Sequence, residues 1–154
     1  MMAVAAVALV VLAVLSLRGV RWAYIAFIVM GLAYFPVKVG FHFAPRACEL
    51  LVGPRLALFS LTNYPHIVHF ALFFVISSAQ FSDARLSARA SFVRAALATL
   101  AMGALVELAE GVTGRGHCRL RDLIPDSAGI VVGVIAVLLW RATKARVLSR
   151  RNAA

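Results

Sequence analysis

Glu107 and Glu110 stand three residues apart, and Arg115, His117, Cys118, Arg119, Arg121, Asp122 and Asp126 follow before the next apolar run begins. Four acids, three arginines and one histidine thus gather between two apolar stretches. A charge beside lipid costs roughly 2.5–3.5 kcal/mol on insertion scales, so such a group needs water, mutual pairing or a ligand. Three guanidiniums next to a helix start suit a phosphate or carboxylate. The planar fork donates two parallel N–H bonds, and the free amides of a helix N-terminus add positive potential. A lipid headgroup or an undecaprenyl-type phosphate is the ligand class this predicts. The internal alternative is that Glu107, Glu110, Asp122 and Asp126 neutralise Arg115, Arg119 and Arg121 themselves, and the sequence leaves both open.

His66 and His69 are also spaced i, i+3 and share one helix face. If their helix runs antiparallel to the one ending at Glu107 and Glu110, through the short Ser82–Ser91 connection, both pairs lie at one depth. Imidazole and carboxylate together suit Zn, Mn or Fe. Two-metal helical bundles place Glu and His on one helix as ExxH, a pattern absent here, so hydrogen bonds and ion pairs are the expected role of these four groups and no metal or cofactor is expected. No nucleotide loop, GxSxG or HExxH occurs, and Ser127 beside Asp126 has no evident base to activate it.

The elements that must hold these groups follow from composition. With 63% hydrophobic and 14% charged residues in 154, the chain is too apolar for a soluble domain of its size. Five apolar runs, residues 1–17, 22–39, 66–81, 92–108 and 125–140, each approach the lower length limit for crossing ~30 Å of hydrocarbon. None alternates with period two, which predicts helices rather than a barrel. The expected fold is all-α: a polytopic transmembrane bundle forming one membrane domain. Residues 1–17 lack a basic leader and meet Arg18 and Arg21 at once, as a retained first helix would. Pro45, Pro54 and Pro65 interrupt residues 40–65, which predicts a short helix at the membrane interface. Residues 141–154 form a basic tail. Gly129 and Gly133, with Gly103 and Thr99 on the preceding helix, offer small faces for close helix packing. Pro125, Asp126 and Ser127 suit the first turn of the last helix. Trp22, Tyr24, Tyr64 and Trp140 fall near run ends, as interfacial anchors do, and His42 and His117 are expected to be interfacial polar groups.

If all five runs cross, one side collects Arg18, Arg21, Arg85, Arg89, Arg94, Arg141, Lys144, Arg146, Arg150 and Arg151 against Asp83 alone. The other holds Lys38, Arg46, Arg55, Arg115, Arg119 and Arg121 with the remaining five acids, all four histidines and both cysteines. The positive-inside rule then places the N-terminus outside and the C-terminus in the cytoplasm of a bacterial inner membrane. Basic residues in short clusters between apolar runs are topology signals, and nucleic acid is excluded as a partner. Cys48 and Cys118 share the oxidising side in this arrangement, which leaves a disulfide between them open.

His69-Phe at the start of one helix, Glu107-x-x-Glu110 at the end of the next, Gly114-Arg115, Asp122-x-x-x-Asp126 and Gly129-x-x-x-Gly133 resemble the VanZ-like family of bacterial membrane proteins. The resemblance covers roughly Tyr64 to Trp140. Pro65-His66, Glu110 and Asp126 stand where the family carries Asp-Lys, Gln and Asn. It implies a small multi-helix envelope protein, in a family named for low-level resistance to the glycopeptide teicoplanin. The positions it marks are His69, Glu107, Glu110, Arg115, Asp122, Asp126, Gly129 and Gly133. An outward cluster binding an anionic lipid or envelope precursor is the expected function. The alternatives are an accessory subunit of a larger membrane complex, respiratory or photosynthetic for example, with the cluster as an interhelical clasp, and a metal-dependent enzyme acting on lipid.

Overall fold

The apolar runs fold as helices in the structure, a computed structural model that describes residues 2–37, 43–82, 87–114 and 117–152. In chain order they are α1 (Met2–Leu17), α2 (Arg21–Val37), α3 (Pro54–Ser60), α4 (Tyr64–Gln80), α5 (Ala88–Thr113) and α6 (Leu123–Asn152), with a single 3-10 turn at Leu120–Asp122 leading into α6. No strand occurs among the described residues, so the chain is all-helical. Local chemistry sets the boundaries. The Ser87 hydroxyl accepts the Ala90 N–H at 3.1 Å and caps α5, and Gly114, at φ +62°, ends it in the left-handed conformation that glycine adopts without strain. Pro54 and Pro65 each sit in a first helical turn, where no amide partner is lost.

Helix α4 is the pivot of the bundle. It packs against α6 most extensively and also against α5, α1 and α2. Tyr24, Phe70, Phe73, Ile76, Met102 and Val106 form one buried cluster, and Phe74, Ala95 and Val137 a second on the α6 side. The close α4–α6 crossing depends on Gly129. A methyl group there would lie 2.7 Å from the Ile67 carbonyl oxygen and 2.9 Å from Phe70 Cβ. Gly133 faces Phe74 and the Ala71 carbonyl in the same way, so the GxxxG face serves the packing its spacing predicts.

Two helices, Ala88–Thr113 and the continuous Leu120–Arg151 segment, are long and apolar enough to cross a membrane. A third qualifies if α3 and α4, bent by 71° at their junction, count as one broken span. The five crossings expected from hydropathy are therefore not reached on length and composition. α1, with 16 residues, is about 24 Å long at 1.5 Å per residue, short of ~30 Å of hydrocarbon, and α2 is one residue longer.

The short helix expected within residues 40–65 is α3, confined to 54–60, and the described residues before it are irregular. Two further expectations are revised. The basic stretch from Arg141 is no separate tail but the continuation of α6 through Asn152. Tyr24 is not an interfacial anchor. Its ring is buried edge-on against Phe81, and its hydroxyl lies 2.8 Å from Ser77 Oγ, whereas Trp22, Tyr64 and Trp140 are exposed.

Contacts divide the molecule into two ends. At one, the Gln80 amide donates to the Ser16 carbonyl, Arg141 donates to Ser82 Oγ, and the Arg141 guanidinium lies 5.0 Å from the centre of the Phe92 ring. This brings together the α1–α2 turn, the end of α4, the start of α5 and the middle of α6. At about 39 Å, the 26-residue α5 carries the chain to the opposite end, where the acids gather.

Candidate functional site: a disulfide-closed cap

An α-helix leaves its last carbonyls without intrahelical partners, and those of α5 are taken up by an extended strap from the 43–53 segment. Ala44 N–H donates to the Val112 carbonyl at 3.3 Å and Arg46 N–H to that of Gly111 at 2.9 Å. The strap lies so close that a side chain at Gly114 would collide with the Ala44 backbone. It then pairs with the segment after α5. Glu49 N–H donates to the Cys118 carbonyl, Leu120 N–H donates back to that of Glu49, and Glu49 and Arg119 form a parallel bridge. Cys48 and Cys118 close this pairing as a disulfide with Cα atoms 4.7 Å apart across 70 residues of sequence. The sulfurs pack on Gly111, where an added methyl would stand 3.2 Å from Cys48 Sγ.

The register sets the electrostatics. With Cys48 opposite Cys118, Glu49 comes opposite Arg119. One Glu49 oxygen takes Arg119 Nε at 3.2 Å, and the other takes Arg121 Nη1 at 3.1 Å. Glu49 is thus the acid that neutralises both arginines, a role that one of the two readings left open by the sequence gave to Glu107, Glu110, Asp122 and Asp126. Glu107, buried near the end of α5, instead accepts the backbone N–H of Arg119 at 2.6 Å, and Glu110 accepts that of His117 at 2.9 Å. The i, i+3 spacing puts both carboxylates on one face, and that face grips the returning backbone. A hydrogen bond of this kind contributes about 0.5–1.5 kcal/mol net.

His66 and Asp126 form the second polar unit. The imidazole Nδ1 lies 3.0 Å from Asp126 Oδ1, and the aspartate is 1% exposed in the first turn of α6, where the helix dipole favours a negative charge. Gly103 leaves the space that this carboxylate occupies. The Asp126 carboxylate facing Nδ1 fixes the orientation of the imidazole. Ser127, the adjacent hydroxyl, donates to the Leu123 carbonyl at 2.8 Å instead of to this imidazole. Asp122 and Glu107 lie within electrostatic reach of His66. His69 is exposed, and its Nδ1–H donates to the Pro65 carbonyl at 2.6 Å.

The structure therefore brings His66, Glu107, Glu110, Arg119, Arg121, Asp122 and Asp126 to one end of the bundle and turns His69 away from them. Arg115 and His42 lie outside the described residues. The four groups considered for a metal do not converge, and among the described residues no set of three or more His, Cys, Asp or Glu side chains is placed to hold one. Every buried side-chain nitrogen or oxygen in the described residues has a hydrogen-bond partner.

Beside the ion pair an open cavity of about 160 Å³ is lined by Arg46, Ala47, Glu49, Glu110, Gly111, His117, Cys118 and Arg119. Arg46 is exposed there and has no carboxylate partner among the described residues. Arg46 and Glu49 are not among the site residues expected from the sequence. The signal that would have found Glu49 is the cysteine pair, since aligning Cys48 with Cys118 in parallel register sets Glu49 against Arg119. Comparison with protein-family models, curated proteins and solved structures found no match for the chain.

Proposed function

We propose that the protein is a VanZ-like integral membrane protein of the bacterial cytoplasmic membrane whose disulfide-closed cap faces outward and binds the phosphate of an anionic lipid or undecaprenyl-type envelope precursor. In this arrangement α1, α2, the bent α3–α4 pair, α5 and α6 make five crossings, with the N-terminus outside and the C-terminus in the cytoplasm. Support for the short crossings comes from the outer surfaces of α1 and α2, where Val4, Val7, Val10, Ile25 and Val29 are exposed with no polar residue among them. Support for the orientation comes from the cations around the α1–α2 turn and along the end of α6, with the disulfide at the opposite end, where an oxidising compartment keeps it closed.

The observation that carries the binding function is Arg46. Glu49 already occupies Arg119 Nε and Arg121 Nη1, and the guanidinium in the cavity wall with no carboxylate partner among the described residues is that of Arg46, which shares the cavity with His117 and Arg119. Native mass spectrometry of the detergent-extracted protein titrated with undecaprenyl phosphate tests it. Arg46→Gln is expected to weaken retention about fivefold to tenfold, as loss of one charge-assisted pair does. Equal retention by wild type and variant overturns the assignment.

One observation favours a second function, that of an accessory subunit. From Arg141 to Arg151 every residue of α6 is exposed, although the segment stays helical. A partner chain lying against this stretch would cover the exposed Val147 and Leu148. Extraction in mild detergent that yields a monodisperse monomer with no co-migrating chain excludes this second function.

A further inference from the structure

We propose a second, separate ligand site at the basic end: a phospholipid of net negative charge, seated between the first turn of α2 and the last turn of α4. A cavity of about 210 Å³ there is lined by Arg21, Tyr24, Ile25, Gln80 and Phe81. It is smaller than the ~300–1,000 Å³ of pockets that enclose a whole small molecule, so it fits part of an amphiphile. Its wall has the polarity order of a lipid. Arg21 is exposed at the mouth, and Tyr24 and Gln80 are committed inward, the hydroxyl to Ser77 and the amide to the Ser16 carbonyl. Ile25 and Phe81 supply the apolar part.

The helix then extends the site. Arg21, Ile25 and Val29 recur every four residues and so stack along one face of α2, each step about 6 Å further from the end of the bundle. Ile25 and Val29 are 62% and 58% exposed. A phosphate on Arg21 therefore places its acyl chain along Ile25 and Val29, in the direction hydrocarbon must run from a headgroup.

Charge selects the headgroup. Arg18, Arg21, Arg89, Arg94 and Arg141 surround this end, and the one acid that the sequence places between α4 and α5, Asp83, cannot balance five cations. The excess positive charge attracts an anionic headgroup. The proposal requires only that this end meet a bilayer surface, and it stands or falls independently of what the disulfide-closed cap binds.

Trp22, exposed beside Arg21, is a local reporter. The full chain carrying Trp140→Phe would be placed in phosphatidylcholine vesicles with a minority of phosphatidylglycerol, and quenching of Trp22 compared when bromine labels the chains of one lipid or the other. Brominated phosphatidylglycerol is expected to quench in about fivefold excess over its mole fraction. Arg21→Gln is expected to remove that excess, while Arg21→Lys keeps most of it and Arg150→Gln, which deletes the same charge far along α6, keeps it in full. Equal quenching by the two lipids overturns the proposal, as does an equal loss in Arg21→Gln and Arg150→Gln. Loss of the excess on adding inorganic phosphate assigns the cavity to free phosphate and also overturns it. Unchanged helical circular dichroism in Arg21→Gln confirms that the exposed substitution leaves the fold in place.

Discussion

At the cap end, Glu49 holds Arg119 and Arg121, Glu107 and Glu110 hold the backbone amides of Arg119 and His117, and Asp126 holds His66. At the opposite end, Arg18, Arg21, Arg89 and Arg94 stand without a carboxylate among the described residues, and Arg141 is met by a hydroxyl and an aromatic face. The two ends of one bundle thus solve the same problem differently. Near lipid a charge must be paired or solvated. The cap pairs most of its charges internally and ties the pairing down with a covalent bond, so its polar groups are structural first, and Arg46 is left facing an open cavity. The basic end leaves its charges to the surroundings, so its polar groups matter for what the bundle sits against. Substitutions at the cap should therefore cost stability, and those at the basic end should change lipid interaction with little effect on stability.

The largest effect is expected from opening the cap. Replacing Cys48 and Cys118 by alanine frees a loop of 70 residues in the unfolded chain, and loop-closure entropy makes that a loss of about 4 kcal/mol. Denaturant unfolding in detergent micelles measures it, and a loss below about 1 kcal/mol would erase the contrast between the ends. Next comes Glu49→Ala, which leaves Arg121, 13% exposed, without its carboxylate. A loss of about 1–2 kcal/mol is expected because the pair is only partly screened by solvent, and adding Arg121→Met should recover much of it. If the double variant is no better than the single, the arginine is not the group left stranded. At the basic end, Ser87→Ala removes the N-cap of α5 and should cost about 1 kcal/mol, read from the same unfolding curves. Arg141→Ala, which removes the contact with Phe92 and the bond to Ser82, should cost about 0.5–1 kcal/mol at this exposed site. A loss from Arg141→Ala as large as that from Glu49→Ala would make the two ends alike.

Much of this contrast was legible in the linear chain. The order of apolar runs alone places the cysteines, histidines and most acids at one end and ten of the sixteen cations at the other, because each helix reverses direction. The small-residue face was legible too, and Gly129 marks the close crossing seen in the fold. The roles of individual charges were not. Glu107 and Glu110 looked like partners for guanidiniums, yet they bind backbone amides, which every residue carries and no composition reveals. Tyr24 looked like an anchor because it falls near a run end, but Ser77 on another helix draws its hydroxyl inward. The sharp turn between α3 and α4 was hidden for a related reason. Asn63 and Pro65 signal a break, but a break has no angle until something packs against it.

The sequence by itself determined that the chain is helical, roughly where α1, α2 and α4 start and stop, and which residue types share an end. Those properties depend on hydropathy period, capping and chain reversal, all of which act over a few residues. Only the tertiary structure decided that Cys48 meets Cys118, that Glu49 in consequence takes both arginines, and that Arg46 is left facing an open cavity. These contacts join residues some seventy positions apart. Their register depends on how the strap crosses the end of α5, and no local propensity encodes that.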